Sequence, residues 1–442
     1  MTELFVNARI VNRGKIARGW VLVKDEFIGR TAEGDAPEDI VADRITDLAG
    51  AYLMPGVIDT HVHFRDGGNG GSPKGDIASE SAAALAGGVT SIFDMPNTSP
   101  AAISLENINL KAARAAELSK VNYAFFLGAT NTNLPELKAA DYAVIPGVKL
   151  FMGASTGNML VDSRPAIRSI FSEVDAIKAV HAENQEILNR NMAALKEKYA
   201  ASEGGIPISE HPVWRDEQAC LSSTISAIEL ARETGSRLHI CHVSTAAEAR
   251  IFTPGNVADK KITAETCPQY LIFAGQEDYK KYGARIKCNP AIKGEDDRAE
   301  LISALIDGRI DSIATDHAPH LPADKEGDLT RAASGMPGIQ FSLILMLELA
   351  RRTPGLSIER IVELMAHNPA TIFSIDRRGF IEPGMYADLV AVEETEPYTI
   401  SDSDVISTCG WTPYAGQKVS FRIKTTRVNG TTSAPAQIRF RQ

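Results

Sequence analysis

Residues 51–66 read AYLMPGVIDTHVHFRD, an apolar run that ends in His61, His63 and Arg65. The apolar run predicts a buried β-strand, and residues two apart on a strand point to the same face. The two histidines and the arginine therefore project together where this strand ends. Two adjacent imidazoles are an arrangement that binds metal ions, although a pair of hydrogen-bonded core histidines is an open alternative for this motif alone.

The chain after residue 54 alternates predicted strands with predicted helices. Strands are predicted at 56–64, 90–96, 123–130, 144–153, 176–183, 237–244, 261–267 and 310–320, and helices at 75–88, 103–118, 216–234, 297–307, 338–352 and 357–373. The glycine-rich stretch 65–71 is predicted to be a loop. Alternation of this kind is typical of parallel βα units, and eight units close a barrel. We therefore predict an α/β fold in which residues 55–379 form a (β/α)8 TIM barrel.

Both ends of the chain carry strand patterns without the intervening helices. Apolar residues alternate or cluster between turn-forming residues at 3–12, 19–30 and 44–50, and the pattern returns at 387–393 and 419–430. We expect residues 1–54 and 380–442 to pair as one small β-sandwich domain beside the barrel.

Composition limits the partners of this protein. The 442 residues carry a formal net charge of −10, which argues against a general nucleic-acid surface but leaves open a local basic site for an anionic small molecule. No apolar stretch is long enough to span a membrane, and the N-terminus lacks a signal-peptide pattern. The five cysteines are odd in number and form no CxxC pair, which favours a reducing compartment. We expect a cytoplasmic protein without nucleic-acid or membrane partners.

Further polar residues occur at equivalent strand ends, and the C-terminal ends of barrel strands are where such enzymes keep their active sites. They are Lys149, His181, His242 and Asp316. Each alone is more often a structural polar residue, but together with the first two histidines they are difficult to explain by packing. An unpaired buried ammonium is costly. A neutral lysine beside two cations could instead react with CO₂ and become a carbamate that bridges them.

Two other histidines are predicted to lie outside this site. His239 precedes His242 by three residues, so it faces the opposite side of its strand and is expected to be a core histidine. His211 lies in SEHPVW, which is predicted to be a solvent-exposed loop.

An ordered set of motifs resembles the cyclic-amidase branch of the amidohydrolase superfamily, which includes dihydroorotases, hydantoinases and allantoinases. The motifs are PGVIDTHVHFR, SIFDMPNTSP, GVKLFMG, HAEN, HICHVST, ETCPQYL, KCNPAIK, ATDHAPH and PGMYADLVAVE, and they cover nearly the whole chain. The resemblance implies a (β/α)8 barrel with a β-sandwich built from both termini, in agreement with the strand and helix pattern.

The resemblance also assigns roles to individual residues. His61 and His63 match ligands of a first metal ion, and His181 and His242 match ligands of a second. Lys149 matches a carboxylated lysine that bridges both ions. Asp316 matches the aspartate that binds the first metal and handles the proton, and it is the expected catalytic residue. Two divalent cations are thus implied, with zinc the expected metal and manganese or cobalt as alternatives.

Within this branch the pattern is most similar to that of dihydroorotases, which hydrolyse (S)-dihydroorotate reversibly to N-carbamoyl-L-aspartate in pyrimidine biosynthesis. The substrate carries a carboxylate, and an arginine can bind a carboxylate through two parallel hydrogen bonds. Residues implied to contact the substrate are Arg65, Asn97, Asn289 and His320. The CPQYL motif is closer to that of hydantoinases, and Asp66-Gly67-Gly68 departs from the Glu-Pro-Gly of many relatives.

Alternative functions therefore stay under consideration. A hydantoinase, a dihydropyrimidinase or an allantoinase would act on a different cyclic amide. A non-catalytic scaffold is disfavoured, because ligand-type residues occupy all six metal positions. A homodimer or a homotetramer is considered for the assembly.

Overall fold

The computed structural model describes residues 1–66, 72–153, 159–430 and 434–441. The stretch 65–71, predicted to be a loop, lies mostly outside these residues. Among the described residues no helix is both long enough and apolar enough to cross a membrane.

Strands from both ends of the chain form one seven-stranded sheet. They are β1 (Thr2–Asn12), β2 (Lys15–Lys24), β3 (Phe27–Glu33), β4 (Arg44–Asp47), β5 (Tyr52–Pro55), β15 (Leu389–Thr399) and β16 (Lys418–Arg427). Their order is β16-β15-β5-β1-β2-β3, with β4 paired to β1. Phe5, Val21, Leu53 and Leu389 belong to one buried apolar cluster of this sheet. Of the expected β-sandwich, a β-rich unit built from both termini is confirmed, and its strands belong to one sheet. The proposed boundaries at residues 54 and 380 stay a prediction.

The central region forms the barrel. Its strands are β6 (Val57–Val62), β7 (Val89–Asp94), β8 (Asn122–Phe125), β9 (Leu127–Gly128), β10 (Val148–Met152), β11 (Lys178–Ala182), β12 (Leu238–Ile240), β13 (Ile262–Thr266) and β14 (Ser312–Ile313). Successive strands pair in parallel, and β8 and β9 are two parts of one strand separated by Phe126. A parallel bridge between Val62 and His317 joins the last strand end to the first. The predicted (β/α)8 barrel is confirmed.

Helices follow the strands, at the six predicted positions and also at positions where no helix was predicted. They are α1 (Ile77–Ala86), α2 (Leu105–Leu118), α3 (Leu134–Ala139), α4 (Arg164–Glu173), α5 (Gln185–Lys198), α6 (His211–Trp214), α7 (Glu217–Thr234), α8 (Ala246–Ile251), α9 (Pro268–Ile272), α10 (Gly275–Tyr282), α11 (Glu295–Asp307), α12 (Ser342–Arg352), α13 (Ile358–Val362) and α14 (Asn368–Ile372). The predicted helix at 357–373 is α13 and α14 joined by the π-helical turn Glu363–His367. Short 3₁₀ turns occupy Ile208–Glu210, Val257–Asp259, Gly283–Ile286, Pro322–Lys325, Ile339–Phe341 and Asp402–Asp404.

Capping residues at both ends of α7 explain why its bounds can be predicted from the sequence. The Asp216 side chain accepts a hydrogen bond from the backbone N–H of Ala219, which satisfies a donor that the helix itself leaves unpaired. Gly235 ends the helix with a φ of 72°, a conformation that glycine adopts without a steric penalty. The helix thereby returns the chain to β12 and the site at its end.

Candidate metal centre and substrate pocket

The six predicted metal ligands meet at the C-terminal ends of the barrel strands. They line one cavity of about 150 Å³, together with three of the predicted substrate contacts. The full lining comprises His61, His63, Arg65, Asn97, Lys149, Phe151, His181, Arg215, His242, Asn289, Asp316, Ala318, Ser334 and Gly335. Residues far apart in the sequence are thus brought together at the face where barrel enzymes hold their active sites.

His61, His63 and Asp316 form the first group of candidate ligands. The Nε2 atom of His63 lies 3.0 Å from Asp316 Oδ1, and the Nε2 atom of His61 lies 3.5 Å from the same oxygen. One donor atom from each residue falls within 4.8 Å of the others, so the three could share a single cation. Two imidazole nitrogens and a carboxylate oxygen are a donor set that suits zinc.

His181, His242 and Lys149 form the second group. His181 Nδ1 lies 2.9 Å from His242 Nε2, so two ring nitrogens face each other in the cavity wall. His242 Nδ1 is buried without a hydrogen-bond partner among the described residues. Lys149 is fully buried, and its Nζ donates to the Cys241 sulfur at 3.1 Å. The His61 and His242 rings, 5.2 Å apart between centroids, connect the two groups.

The protonation states of most of these residues favour metal binding, which requires neutral imidazole and ionised carboxylate. Burial lowers the pKa of His63 to about 4 and also lowers that of His181. Burial acts to raise the pKa of Asp316, but His61 and His63 lower it overall. The exception is His61, whose pKa is raised to about 10. Burial and Lys149 oppose this rise, and Glu265 and Asp316 outweigh them. A cation would therefore displace a proton from His61.

Left-handed backbone conformations occur at three of the strand ends that carry site residues. Arg65 has a φ of 62°, His242 of 41° and Asp316 of 49°. Such values are uncommon for residues with a Cβ and are found where surrounding structure enforces them, often at active sites. Each of the three follows the last residue of its strand by two or three positions.

Polar partners hold the histidines of the first group in place. Glu265 Oε1 lies 2.5 Å from His61 Nδ1, and Glu265 Oε2 lies 3.1 Å from His239 Nε2. Asn97 Oδ1 lies 2.7 Å from His63 Nδ1. No sequence motif assigns a role to Glu265, although an acidic residue inside a predicted buried strand is unusual. His239 is a core histidine, as predicted, and it contacts Glu265, which in turn contacts His61.

Three of the four predicted substrate contacts line the cavity, and the fourth lies behind one of them. Arg65 and Asn97 line the cavity, as does Asn289, whose Oδ1 is buried and has no partner in the described chain. His320 lies behind Arg65, with its Nε2 3.2 Å from Arg65 Nη2 and 3.0 Å from the Ser334 carbonyl oxygen. Burial, with Arg65 as the next cause, lowers the pKa of His320 to about 3, so this ring is neutral beside the guanidinium.

The prediction for His211 is wrong. His211 was expected in a solvent-exposed loop, but it is fully buried at the start of α6, and its Nδ1 lies 3.3 Å from the Tyr279 hydroxyl. The polar residues around His211 predict a loop. The residues that bury it are distant in the sequence, so no local pattern predicts its burial. The same short helix leads to Arg215, a cavity residue that sequence analysis did not single out.

A (β/α)8 barrel with histidines, a lysine and a carboxylate at the ends of its strands defines a class of enzyme scaffold with a candidate metal centre. The family model described as the Amidohydrolase family matches residues 52–432, and the chain belongs to this family.

Relatives and solved structures agree with this assignment. The chain is 36% identical over 410 residues to a dihydroorotase from Halobacterium salinarum, covering 92% of this chain and 90% of that protein. It is 30% identical to a dihydroorotase from Pediococcus pentosaceus, covering 97% and 98% of the two chains. An allantoinase from Bacillus velezensis is 32% identical, with 96% and 92% covered. The L-hydantoinase (dihydropyrimidinase) of Arthrobacter aurescens superposes with a TM-score of 0.88 at 28% identity, covering 98% and 96%.

Proposed function

We propose that this protein is a dihydroorotase, a hydrolase that opens the cyclic amide of (S)-dihydroorotate to N-carbamoyl-L-aspartate and also catalyses the reverse closure. The observation that carries the proposal is the position of Arg65, which lines the cavity of the candidate metal centre. A guanidinium there can bind the carboxylate that distinguishes dihydroorotate from uncharged cyclic amides. Dihydroorotase relatives that match most of the chain support the same reading.

The residues present fit two divalent cations. His61, His63 and Asp316 would hold one, His181 and His242 the other, and a carboxylated Lys149 would bridge them. The close donor atoms of the first group, and the ring nitrogens of His181 and His242 that face each other in the second, support this assignment. Zinc is the proposed metal, because imidazole and carboxylate are ligands that it favours. Bound cations supply Lewis acidity, which polarises a carbonyl oxygen and lowers the pKa of bound water.

The protein's own residues would orient the substrate and move the proton. Arg65 would bind the substrate carboxylate, with the Asn97 side chain as a second contact, while His320 would act from behind the guanidinium. Asn289, which also lines the cavity, would hydrogen-bond the ring of the substrate. Asp316, held ionised by its histidine neighbours, would accept the proton of the attacking water and deliver it to the leaving ring nitrogen.

A second candidate function is that of an allantoinase or a hydantoinase-type enzyme. The allantoinase relative and the fold of the L-hydantoinase favour it. Such enzymes would act on the same amide bond type in a different ring, so the choice between them is one of substrate and not of mechanism.

Cellular setting and assembly complete the proposal. Five buried free thiols suit a reducing compartment, which supports a cytoplasmic location. A homodimer or a homotetramer without nucleic-acid or membrane partners stays a prediction.

The deciding experiment is a parallel substrate assay on protein purified with zinc and bicarbonate. Metal content is measured first, and we expect about two cations per chain. Hydrolysis of dihydroorotate, dihydrouracil, hydantoin and allantoin is then compared at equal enzyme concentration. We expect dihydroorotate to have the highest kcat/KM. A preference for allantoin or hydantoin would favour the second candidate, and a protein with neither metal nor turnover would be a scaffold.

A further inference from the structure

A buried ion pair stands directly behind the second group of candidate ligands. Arg215 and Glu183 have side chains that are 5% and 0% exposed, and Arg215 Nη1 donates to Glu183 Oε2. The same Glu183 oxygen lies 2.9 Å from Nε2 of His181. His181 in turn presents its other nitrogen, Nδ1, to His242. An unbroken series of contacts thus runs from Arg215 to the ring that faces the cavity.

The local structure fixes both members of this pair. Glu183 follows His181 by two residues at the end of β11, so a short stretch of chain brings its carboxylate to the histidine ring. Arg215 ends α6 and is followed by Asp216, which caps α7, so its backbone is held between two helices. Its guanidinium carbon also lies 4.7 Å from the centre of the Trp214 ring. These contacts leave the arginine little freedom to move away from Glu183.

The chemistry of the pair determines which His181 nitrogen can bind a cation. A carboxylate accepts hydrogen bonds, so its contact with Nε2 requires the hydrogen of the neutral ring to sit there. The lone pair then remains on Nδ1, the atom directed toward His242. Arg215 donates to this carboxylate, so its positive charge lies directly beside the negative charge of Glu183. Without the arginine the carboxylate would be a buried charge with fewer partners, which is costly.

We propose that Arg215 is a positioning residue for the second cation, acting through Glu183 to fix the ring orientation and the hydrogen of His181. The inference rests on the two-cation site of the proposed function and assigns a role to a residue outside the six ligands. Arg215 also lines the cavity, so its loss would change the wall that faces the substrate as well as the ligand behind it.

The two groups of candidate ligands can be distinguished by experiment, because different residues hold their histidines in place. His61 of the first group is held by Glu265. The other partners of Glu265 in the described chain are His239, the Thr60 hydroxyl and the backbone N–H of His242, and none of them is an arginine. Substitution of Arg215 should therefore weaken the second cation and leave the first in place. Loss of a partner that orients a metal-binding histidine typically lowers metal affinity about 10–100-fold.

The test is a zinc titration of metal-free full-length protein, in bicarbonate, against a chromogenic chelator of known affinity. Wild type is compared with Arg215→Met, Arg215→Lys and Glu183→Gln. The matched control is Arg168→Met, which removes the arginine of an exposed pair with Glu233 on the neighbouring surface. We expect one cation of Arg215→Met to bind about 10–100-fold more weakly and the other to bind as in wild type. Arg215→Lys should recover part of the loss, because it restores the charge without the planar guanidinium.

The outcomes separate this inference from the function on which it rests. Unchanged binding of two cations by Arg215→Met would overturn the inference alone, as would an equal weakening of both. If Arg215→Met does not fold, as judged by circular dichroism, Glu183→Gln decides, since it preserves the side-chain volume while removing the negative charge. Wild-type affinity for both cations in that variant would overturn the inference. Fewer than two cations in the wild type would overturn the proposed metal site itself.

Discussion

Arg65→Met removes the cationic group that we assign to the substrate carboxylate and keeps a long unbranched side chain in its place. The arginine follows β6 with a φ of 62°, and methionine would carry the same backbone strain, so the change acts through side-chain chemistry. The Nε atom of Arg65 donates to the Pro319 carbonyl at 3.4 Å, a long hydrogen bond, and its Nη2 atom lies 3.2 Å from His320 Nε2; neither contact is with a carboxylate. The fold is therefore expected to tolerate the substitution.

The size of the effect follows from the contacts that a guanidinium can make. Hydrogen bonds to a charged group contribute about 1.5–3 kcal/mol each, and a bidentate contact makes two of them. The loss for dihydroorotate is then about 3–6 kcal/mol, which corresponds to roughly 10²–10⁴-fold in kcat/KM. Dihydrouracil has the same ring amide without the carboxylate, so its slower hydrolysis should change little.

The assay measures kcat/KM of both substrates with wild type, Arg65→Met and Arg65→Lys, with Arg168→Met as the surface control. Lysine retains the charge but cannot form the planar two-bond contact, so Arg65→Lys should lie between the other two. The decisive quantity is the ratio of the two substrates. An equal loss on both, or a loss below tenfold on dihydroorotate, would refute the assignment of Arg65 to the carboxylate.

Three further predictions concern catalysis and stability. Asp316→Asn should lower kcat for dihydroorotate by about 10²–10⁴-fold, because the amide cannot accept the proton; near-normal turnover would exclude Asp316 as the proton carrier. Lys111→Met should lower the free energy of unfolding by about 3–5 kcal/mol in urea titrations, because the fully buried Asp94 loses its 2.7 Å ion pair. Lys138→Met, which removes an exposed ion pair with Glu173, should change the free energy of unfolding little. Burial acts to raise the pKa of Glu3, but hydrogen bonds from Arg427 and Thr46 and the charges of Arg427 and Arg44 lower it overall. Glu3 therefore stabilises the fold above its unfolded pKa, and this stabilisation is lost as the pH falls through the folded value. Glu3→Gln should consequently lower Tm more at pH 7 than at pH 3, and an equal shift at both would contradict this linkage.

Local patterns were sufficient to predict most of the fold. The bounds of α7 could be predicted within one residue because its capping aspartate and terminal glycine act through neighbouring backbone atoms. The strand ends were less accurate: β12 ends at Ile240 and β14 at Ile313, whereas strands were predicted through 244 and 320. Left-handed residues near these ends, His242 and Asp316, turn the chain out of the sheet, and no propensity rule anticipates such a value for histidine.

The candidate site was predictable to the extent that it depends on strand alternation. His61 and His63 are two apart on one strand, and their convergence follows from that spacing. The roles of Glu265 and Arg215 could not be found in this way, because each acts on a residue of another strand or loop. A buried carboxylate becomes informative only when its hydrogen-bond partner is known, and that partner is determined by tertiary structure.

The seven-stranded sheet has a consequence for how the chain is made. β5 ends at Pro55 and pairs with β15, which begins at Leu389. At about 5–20 residues per second, a ribosome needs on the order of half a minute to synthesise the segment between them. Throughout that interval the nascent β5 has a bare edge while the barrel emerges, so a chaperone that covers this strand early in translation should raise the yield of correctly folded protein.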